Sequence, residues 1–341
     1  MNSQGNNKSK HSALRKLYWD IRRGKWRAEA RSQLTLYFEW MRALFHRKLP
    51  RVNVAANVGE QAYGHVQSVV ALGERYPNSP GWERQLEYIR ECLRSMSLEP
   101  ITDRWHDATE GLDFENISVT IPGQSDQRIV IAAHHDTKKF AGHSNPAHNF
   151  KFEGANDGGS GVGLLLALAE VLSKNENPLT IELVFFDGEE SITVDWDGAT
   201  RALFGSRRYV SKKTAESGED WAAKISAVVV LDMIGCKDLH IDDDTHSDTY
   251  LKTIFRRAAI DLGYSKYFFR QRVPIEDDHL PFIDAGVPAI DLIQKKHNPY
   301  WHTPHDTLEN VSERSLQIVA EVVLTALPAV AAGNNLEGNE S

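Results

Sequence analysis

Cysteine is the scarcest informative residue: only Cys92 and Cys236 occur in 341 residues, far apart and in no C-x-x-C spacing. That excludes a disulfide framework and a cysteine-held zinc site, and both read as buried, reduced thiols. Long apolar runs are missing too, since no stretch approaches the roughly 20 uninterrupted apolar residues that span a bilayer. The opening MNSQGNNKSKHSALRK has no apolar run after its basic residues. A secretory leader is therefore not apparent, and a cytoplasmic location with no membrane span is expected. The glycine-rich segment GGSGVG matches neither the phosphate loop nor the dinucleotide fingerprint. Ser160 within it lacks the G-x-S-x-G context and a strand immediately before it, so a serine nucleophile is a weak reading. No internal repeat appears.

What is there is an ordinary globular composition, 41% hydrophobic and 25% charged, long enough for one large α/β domain plus an appendage. The formal net charge of -8 conceals an asymmetry: residues 1–50 hold 12 Lys+Arg against 3 Asp+Glu, the remainder 27 against 44. From Ala13 to about Arg47 the spacing of Leu34, Phe38, Met41 and Phe45 predicts an amphipathic helix that Pro50 ends. Trp19, Trp26, Tyr37, Phe38 and Trp40 look like packing material, so this basic arm reads as a helix lying on the body or on a second subunit. No nucleic-acid partner is expected. The expected organisation is a helical arm over 1–50, one domain over 55–332 and a disordered tail over 333–341.

Beyond Ala55 a helix through Ala71, the turn segment ERYPNSPG and a second helix through about Arg94 are expected. Strand-like runs then alternate with helices: residues 116–123, 128–136, 179–190, 225–235 and 287–293 read as strands, and 162–174, 248–262 and 313–331 as helices. Runs rich in Val, Ile and Leu and separated by helices indicate strands covered on both faces. The expected fold is therefore α/β and three-layered, with a mostly parallel or mixed central sheet.

Three of those runs end in ionisable side chains. His134 and Asp136 follow IVIAA, Glu189 and Glu190 follow LVFFDG, and Asp232 follows VVVL. In open α/β sheets the site lies outside the carboxyl ends of the strands, so these groups should converge. Asp157 precedes a glycine-rich helix start, and His302 sits in PYWHTPHDT before the last helix. Each alone is unremarkable, because an isolated aspartate is usually a turn former and a lone histidine a satisfied surface or core group. Together they imply a cation, since acids gathered at strand ends repel one another unless a cation or shared protons offset them. Catalytic zinc takes three His or carboxylate ligands and keeps one position open, and Asp157, Glu190 and His302 supply such a set. Glu189 is then left beside the metal as a general acid or base. His143 and His148 read as exposed loop residues.

These segments resemble the animal-type glutaminyl-peptide cyclotransferases, which share their fold with the co-catalytic zinc aminopeptidases. The resemblance runs from about Ala55 to Ala331. It rests on ERYPNSPG, HHDTK, GANDGGSG, FFDGEES, ALFGSRRYV, LDMIG, IEDDHLPF and YWHT, in that order. It implies one zinc on Asp157, Glu190 and His302, and Glu189 as the proton shuttle for cyclisation of an N-terminal glutamine with loss of ammonia. It also implies Asp232 and Asp277 as a supporting acid network, and peptide or protein N-termini as substrates. On the substrate side it implies Trp301, Trp196 with an offset of one residue, and Asp291. The last is a departure, standing where the animal cyclases have a histidine. The alternative is a two-metal aminopeptidase, with His134 and Asp232 holding a second ion and Asp157 bridging.

Overall fold

Alternating side chains sort the strands onto two faces. The computed structural model describes residues 49, 54–193, 196 and 201–335. The expected arm, Leu49 apart, and residues 336–341 of the expected tail lie outside them. The described strands are β1 (Ile101–Asp107), β2 (Leu112–Ile121), β3 (Arg128–His134), β4 (Thr180–Phe186), β5 (Ile225–Asp232), β6 (Ile241–Asp244), β7 (Phe268–Val273) and β8 (Ala289–Ile293). The helices are α1 (Val58–Ala71), α2 (Pro80–Ser95), α3 (Gly159–Ser173), α4 (Phe204–Ser217), α5 (Thr249–Asp261), α6 (His279–Asp284) and α7 (Glu313–Asn335). Helix α7 runs past the expected end at 331.

The main sheet has the order β1-β2-β4-β3-β5-β8. The β1–β2 and β2–β4 pairs are antiparallel, whereas β4–β3, β3–β5 and β5–β8 are parallel. The sheet is therefore mixed, as the sequence allows. Ile129, Ile131, Ala133, Leu183, Phe185, Val229 and Leu231 face one large core shared with α1, α2, α3, α5 and α7. Their alternates Val130, Ala132, Val184, Phe186, Val228 and Val230 face Tyr209 of α4, Trp221 and Phe282 of α6. Both faces are covered, which is why these strands read as continuous apolar runs.

Helix α3 fills the centre of one layer with twelve buried residues. Helix α7 also lies in that layer. Its segment Glu313–Gly333 is long and apolar enough to cross a membrane by length and composition, yet 78% of its apolar window is buried within the fold. The run is not uninterrupted, since Gln317, Glu321 and Thr325 break it, and the helix passes on average composition as a core helix does. Of the two thiols Cys236 is buried and Cys92 only half-buried.

Strand β3 lies between β4 and β5. The crossovers on either side of β4 thus lead to opposite neighbours of β3, and a crevice opens at the carboxyl ends of the three strands. That crevice is where the ionisable side chains gather.

Candidate metal centre and acid network

Each element that ends in the crevice delivers its own side chain. Strand β3 finishes on His134 and β5 on Asp232, and β4 runs into Gly188, Glu189 and Glu190. Asp157 comes from the turn ahead of α3, and His302 from the loop between β8 and α7. The turn is built for close approach: Gly158 has φ 76°, and a β-carbon there would stand 2.6 Å from the Asp136 carbonyl oxygen. Only glycine fits that position. His302 (φ 54°) and Met233 (φ 47°), which follows Asp232, are non-glycine residues held in the left-handed region. Such strain persists where surrounding structure over-determines the backbone, and it clusters at functional sites.

His302 Nε2 lies 3.1 Å from Glu190 Oε1 and 3.4 Å from Asp157 Oδ2. His134 Nε2 lies 3.1 Å from Asp232 Oδ1 and 3.3 Å from Asp157 Oδ1. Within each trio, Asp157, Glu190, His302 and His134, Asp157, Asp232, the ligand atoms sit within 4.8 Å of one another. Asp157 is common to both. Burial pulls His302 down, but the Glu190 and Asp157 carboxylates outweigh it and lift the imidazole to about 10. Burial pushes Asp157 up, and hydrogen bonds from His134 and His302 overcome it and hold the carboxylate well below its usual range. The pocket is therefore arranged to hold positive charge. Its donors, two carboxylates and one imidazole with no thiolate, fit zinc.

Four buried groups hold this set in place: Asp306, Arg75 and Lys138, which sequence reasoning passed over, and Asp136, which it expected in the crevice without this role. Asp136 accepts the backbone N–H groups of Glu189 (3.1 Å) and Glu190 (3.3 Å). Asp306 accepts those of Asn156 (2.8 Å) and Asp157 (3.0 Å). The Arg75 guanidinium donates to the carbonyls of Glu153 and Gly154, both at 2.7 Å, and so fixes the chain entering the Asp157 turn. Lys138 donates to the Ser191 carbonyl at 2.7 Å and lies 3.7 Å from Glu190 Oε2. The available signal was charge inside the short motifs HHDTK, ERYPNSPG and HTPHDT, where a turn alone needs none.

The acids occupy the same crevice. Burial raises Glu189 well above the usual carboxylate range, with His134 opposing and Asp277 adding to the rise. Burial lifts Asp232 to about 7 against the pull of His134. Asp291 lies inside β8 and is 1% exposed, so it stands behind the pocket rather than on the substrate side where it was expected. Burial, then Asp277, Asp244 and Asp232, raise its carboxyl well above normal. The imidazole in this region comes instead from His279, whose Nε2 is 3.1 Å from Asp244 Oδ2 and whose Nδ1 is 3.9 Å from Asp291 Oδ2.

A small pocket lies above these groups. Eight of the expected residues line it: Asp157, Glu189, Glu190, Asp232, Asp277, Trp196, Trp301 and His302. His134 does not line it and lies buried beneath. Trp301 stacks on His302 with ring centres 4.5 Å apart, and the Trp196 indole donates to Glu276 at 2.7 Å. His143 and His148 meet each other, ring centres 5.6 Å apart, in their own loop.

The fold and this constellation define a class. The profile of peptidase family M28 matches residues 116–327, and the chain belongs to that family. Within it the chain is 30% identical to the glutaminyl-peptide cyclotransferase of Bothrops jararaca, over 74% of this chain and 76% of that one. The solved glutaminyl cyclase of an Acidobacteriales bacterium is 33% identical with a TM-score of 0.75, covering 84% of this chain and 99% of its own. A Zn-dependent exopeptidase from Parabacteroides distasonis ATCC 8503 is 26% identical with a TM-score of 0.69, covering 82% and 99%. The resemblance read in the sequence and the three-layer fold are thus borne out. The expected cytoplasmic location is not: the matched relatives are animal glutaminyl-peptide cyclotransferases, and that likeness supports no cytoplasmic placement. Lack of an evident apolar leader was too little to carry that expectation.

Proposed function

We propose that the chain is a zinc-dependent glutaminyl-peptide cyclotransferase, converting N-terminal glutamine of peptides or proteins to pyroglutamate with release of ammonia. One zinc per chain is held by Asp157, Glu190 and His302. The observation that carries the reading is that Glu189, Asp232 and Asp277 line the same pocket as the three ligands. A proton relay therefore lies beside the metal position. The cyclotransferase relatives support it.

A zinc ion held there supplies Lewis-acid polarisation of the substrate's side-chain amide carbonyl. Glu189 takes a proton from the α-amino group as that nitrogen bonds to the amide carbon. It returns the proton to the departing nitrogen, which leaves as ammonia when the carbon–nitrogen bond breaks. No water is consumed, so the proton balance closes on Glu189 alone. Its raised proton affinity suits a group that must both accept and release within one turnover. Asp232 and Asp277 steady the shuttle. Asp291, whose proton affinity burial and the Asp277 carboxylate raise, backs the same network. Trp301 walls the pocket next to His302 and orients the glutamine.

The second reading, a two-metal aminopeptidase, is favoured by the His134, Asp157, Asp232 group and the exopeptidase likeness. Metal counting together with both assays decides. The cyclase reading expects one zinc per chain, ammonia and pyroglutamyl product from Gln peptides. Two metals per chain, with amino acids released from aminoacyl anilides and no ammonia, overturns it.

A further inference from the structure

Lys295 is the one lysine or arginine lining the pocket, among described residues. All the neighbouring ionisable groups except His302 are acids. Its ammonium sits over two indoles, 4.9 Å from the Trp301 ring centre and 5.7 Å from that of Trp196, and no carboxylate pairs with it among described residues. The nearby Glu276 is engaged by the Trp196 indole N–H.

The root of this lysine is fixed. Asp242, itself buried, accepts the backbone N–H groups of Lys295 (2.9 Å) and Lys296 (2.8 Å). Buried Gln294 is tied to the His240 N–H at 2.8 Å and to the Asp238 carbonyl at 2.9 Å. A half-buried cation on so short a tether, steered by two aromatic faces, is pre-organised to meet a partner without much loss of freedom. Trp301 touches both Lys295 and His302, so the partner Lys295 meets is the part of the substrate next to the reacting glutamine.

We propose that Lys295 selects substrates carrying a carboxylate just beyond the N-terminal glutamine, as the second side chain or as the chain end of a dipeptide. This rests on the cyclotransferase reading of the site. Without Lys295 such a carboxylate meets only the field of Glu189, Asp232, Glu276 and Asp277 on the substrate side. An exposed to half-buried ion pair is worth a factor of about two to five.

The test compares kcat/KM for Gln-Glu-amide and the isosteric Gln-Gln-amide, with Gln-Gln free acid as a third arm that separates the two carboxylate sources. The wild type is expected to favour a carboxylate-bearing peptide by about two- to fivefold, and less at high salt. In Lys295→Met the ratio falls to one or below, and in Lys295→Glu a Gln-Lys-amide overtakes Gln-Glu-amide. Ratios taken within each variant cancel any general loss. Equal rates on all three peptides in the wild type, or an unaltered ratio in Lys295→Met, overturns the inference. The same preference is read without turnover from the dissociation constants of the pyroglutamyl product amides. Absence of ammonia therefore counts against the proposed reaction, and absence of charge preference against the role of Lys295.

Discussion

Glu189 and Glu190 are neighbours in sequence with opposite surroundings. Glu190 faces His302 at 3.1 Å, whereas burial and nearby acids raise the proton affinity of Glu189. On the proposed reading two carboxylates thus take two roles through environment alone. Glu189→Gln is expected to keep zinc content near normal and to lose about 100- to 10,000-fold in activity, the usual worth of a general acid–base group. His302→Ala is expected to lose the metal itself. Zinc analysis run beside an ammonia assay checks both, and a fully active Glu189→Gln refutes the shuttle. Asp306 is a different kind of residue: it touches no substrate and grips the N–H groups of Asn156 and Asp157. Its replacement by alanine is expected to weaken zinc affinity by about 10- to 100-fold, measured by competition with a chelator. Of the proposed ligands, Glu190 was legible because it follows an apolar run, Asp157 because it precedes a helix start, and His302 from its aromatic and proline turn. Asp306 and Arg75 were not, nor was the part played by Asp136, because all three work on backbone far away in the chain and no local pattern records that.

At the scale of elements, the covered strands announced themselves and the others did not. Residues of β3, β4 and β5 are almost wholly buried, so each reads as an apolar run. Strand β1, ITDRWHD, is an edge strand with a mostly exposed pattern, and nothing apolar marks it. The two-stranded β6–β7 sheet and the six-residue α6 are too short or too polar for periodicity to detect. The turn into α3 was visible as a glycine cluster, though its cause was not. Gly158→Ala forces a side chain into the left-handed region against the Asp136 carbonyl, and is expected to cost roughly 1–3 kcal/mol. By contrast Gly64, in the middle of α1, has open space around it. Gly64→Ala is expected to stabilise by about 0.4–1 kcal/mol, since it only restricts the unfolded chain. Urea midpoints on the two variants should move in opposite directions.

For the whole molecule, charge at the crevice couples the metal to proton binding and to stability. The His302 imidazole stands at about 10 without metal, above the ~6.5 of an unfolded chain. Its protonation therefore stabilises the metal-free fold fully below about pH 6.5, and that contribution is lost as pH rises through about 10. Zinc takes the site only as His302 gives up its proton. Zinc affinity is expected to climb by up to about tenfold per pH unit between pH 7 and 9, with a proton released on binding. Titration calorimetry in buffers of different ionisation enthalpy reads that proton directly, and an affinity flat with pH contradicts it. The thermal midpoint with zinc should hold steady toward pH 10 while that of the chelated protein falls.

The ligand loop near the carboxyl terminus is bound to parts of the chain made much earlier. His302 meets Glu190 across 112 residues, and Asp306 holds Asp157 across 149. A metal spanning such separations acts as a staple on a long loop, where cross-linking restricts the unfolded ensemble most. During synthesis the first two ligands leave the ribosome long before the third, so a nascent chain has no complete binding site. On the proposed ligand set, zinc loading is therefore expected only after the His302 loop has been made.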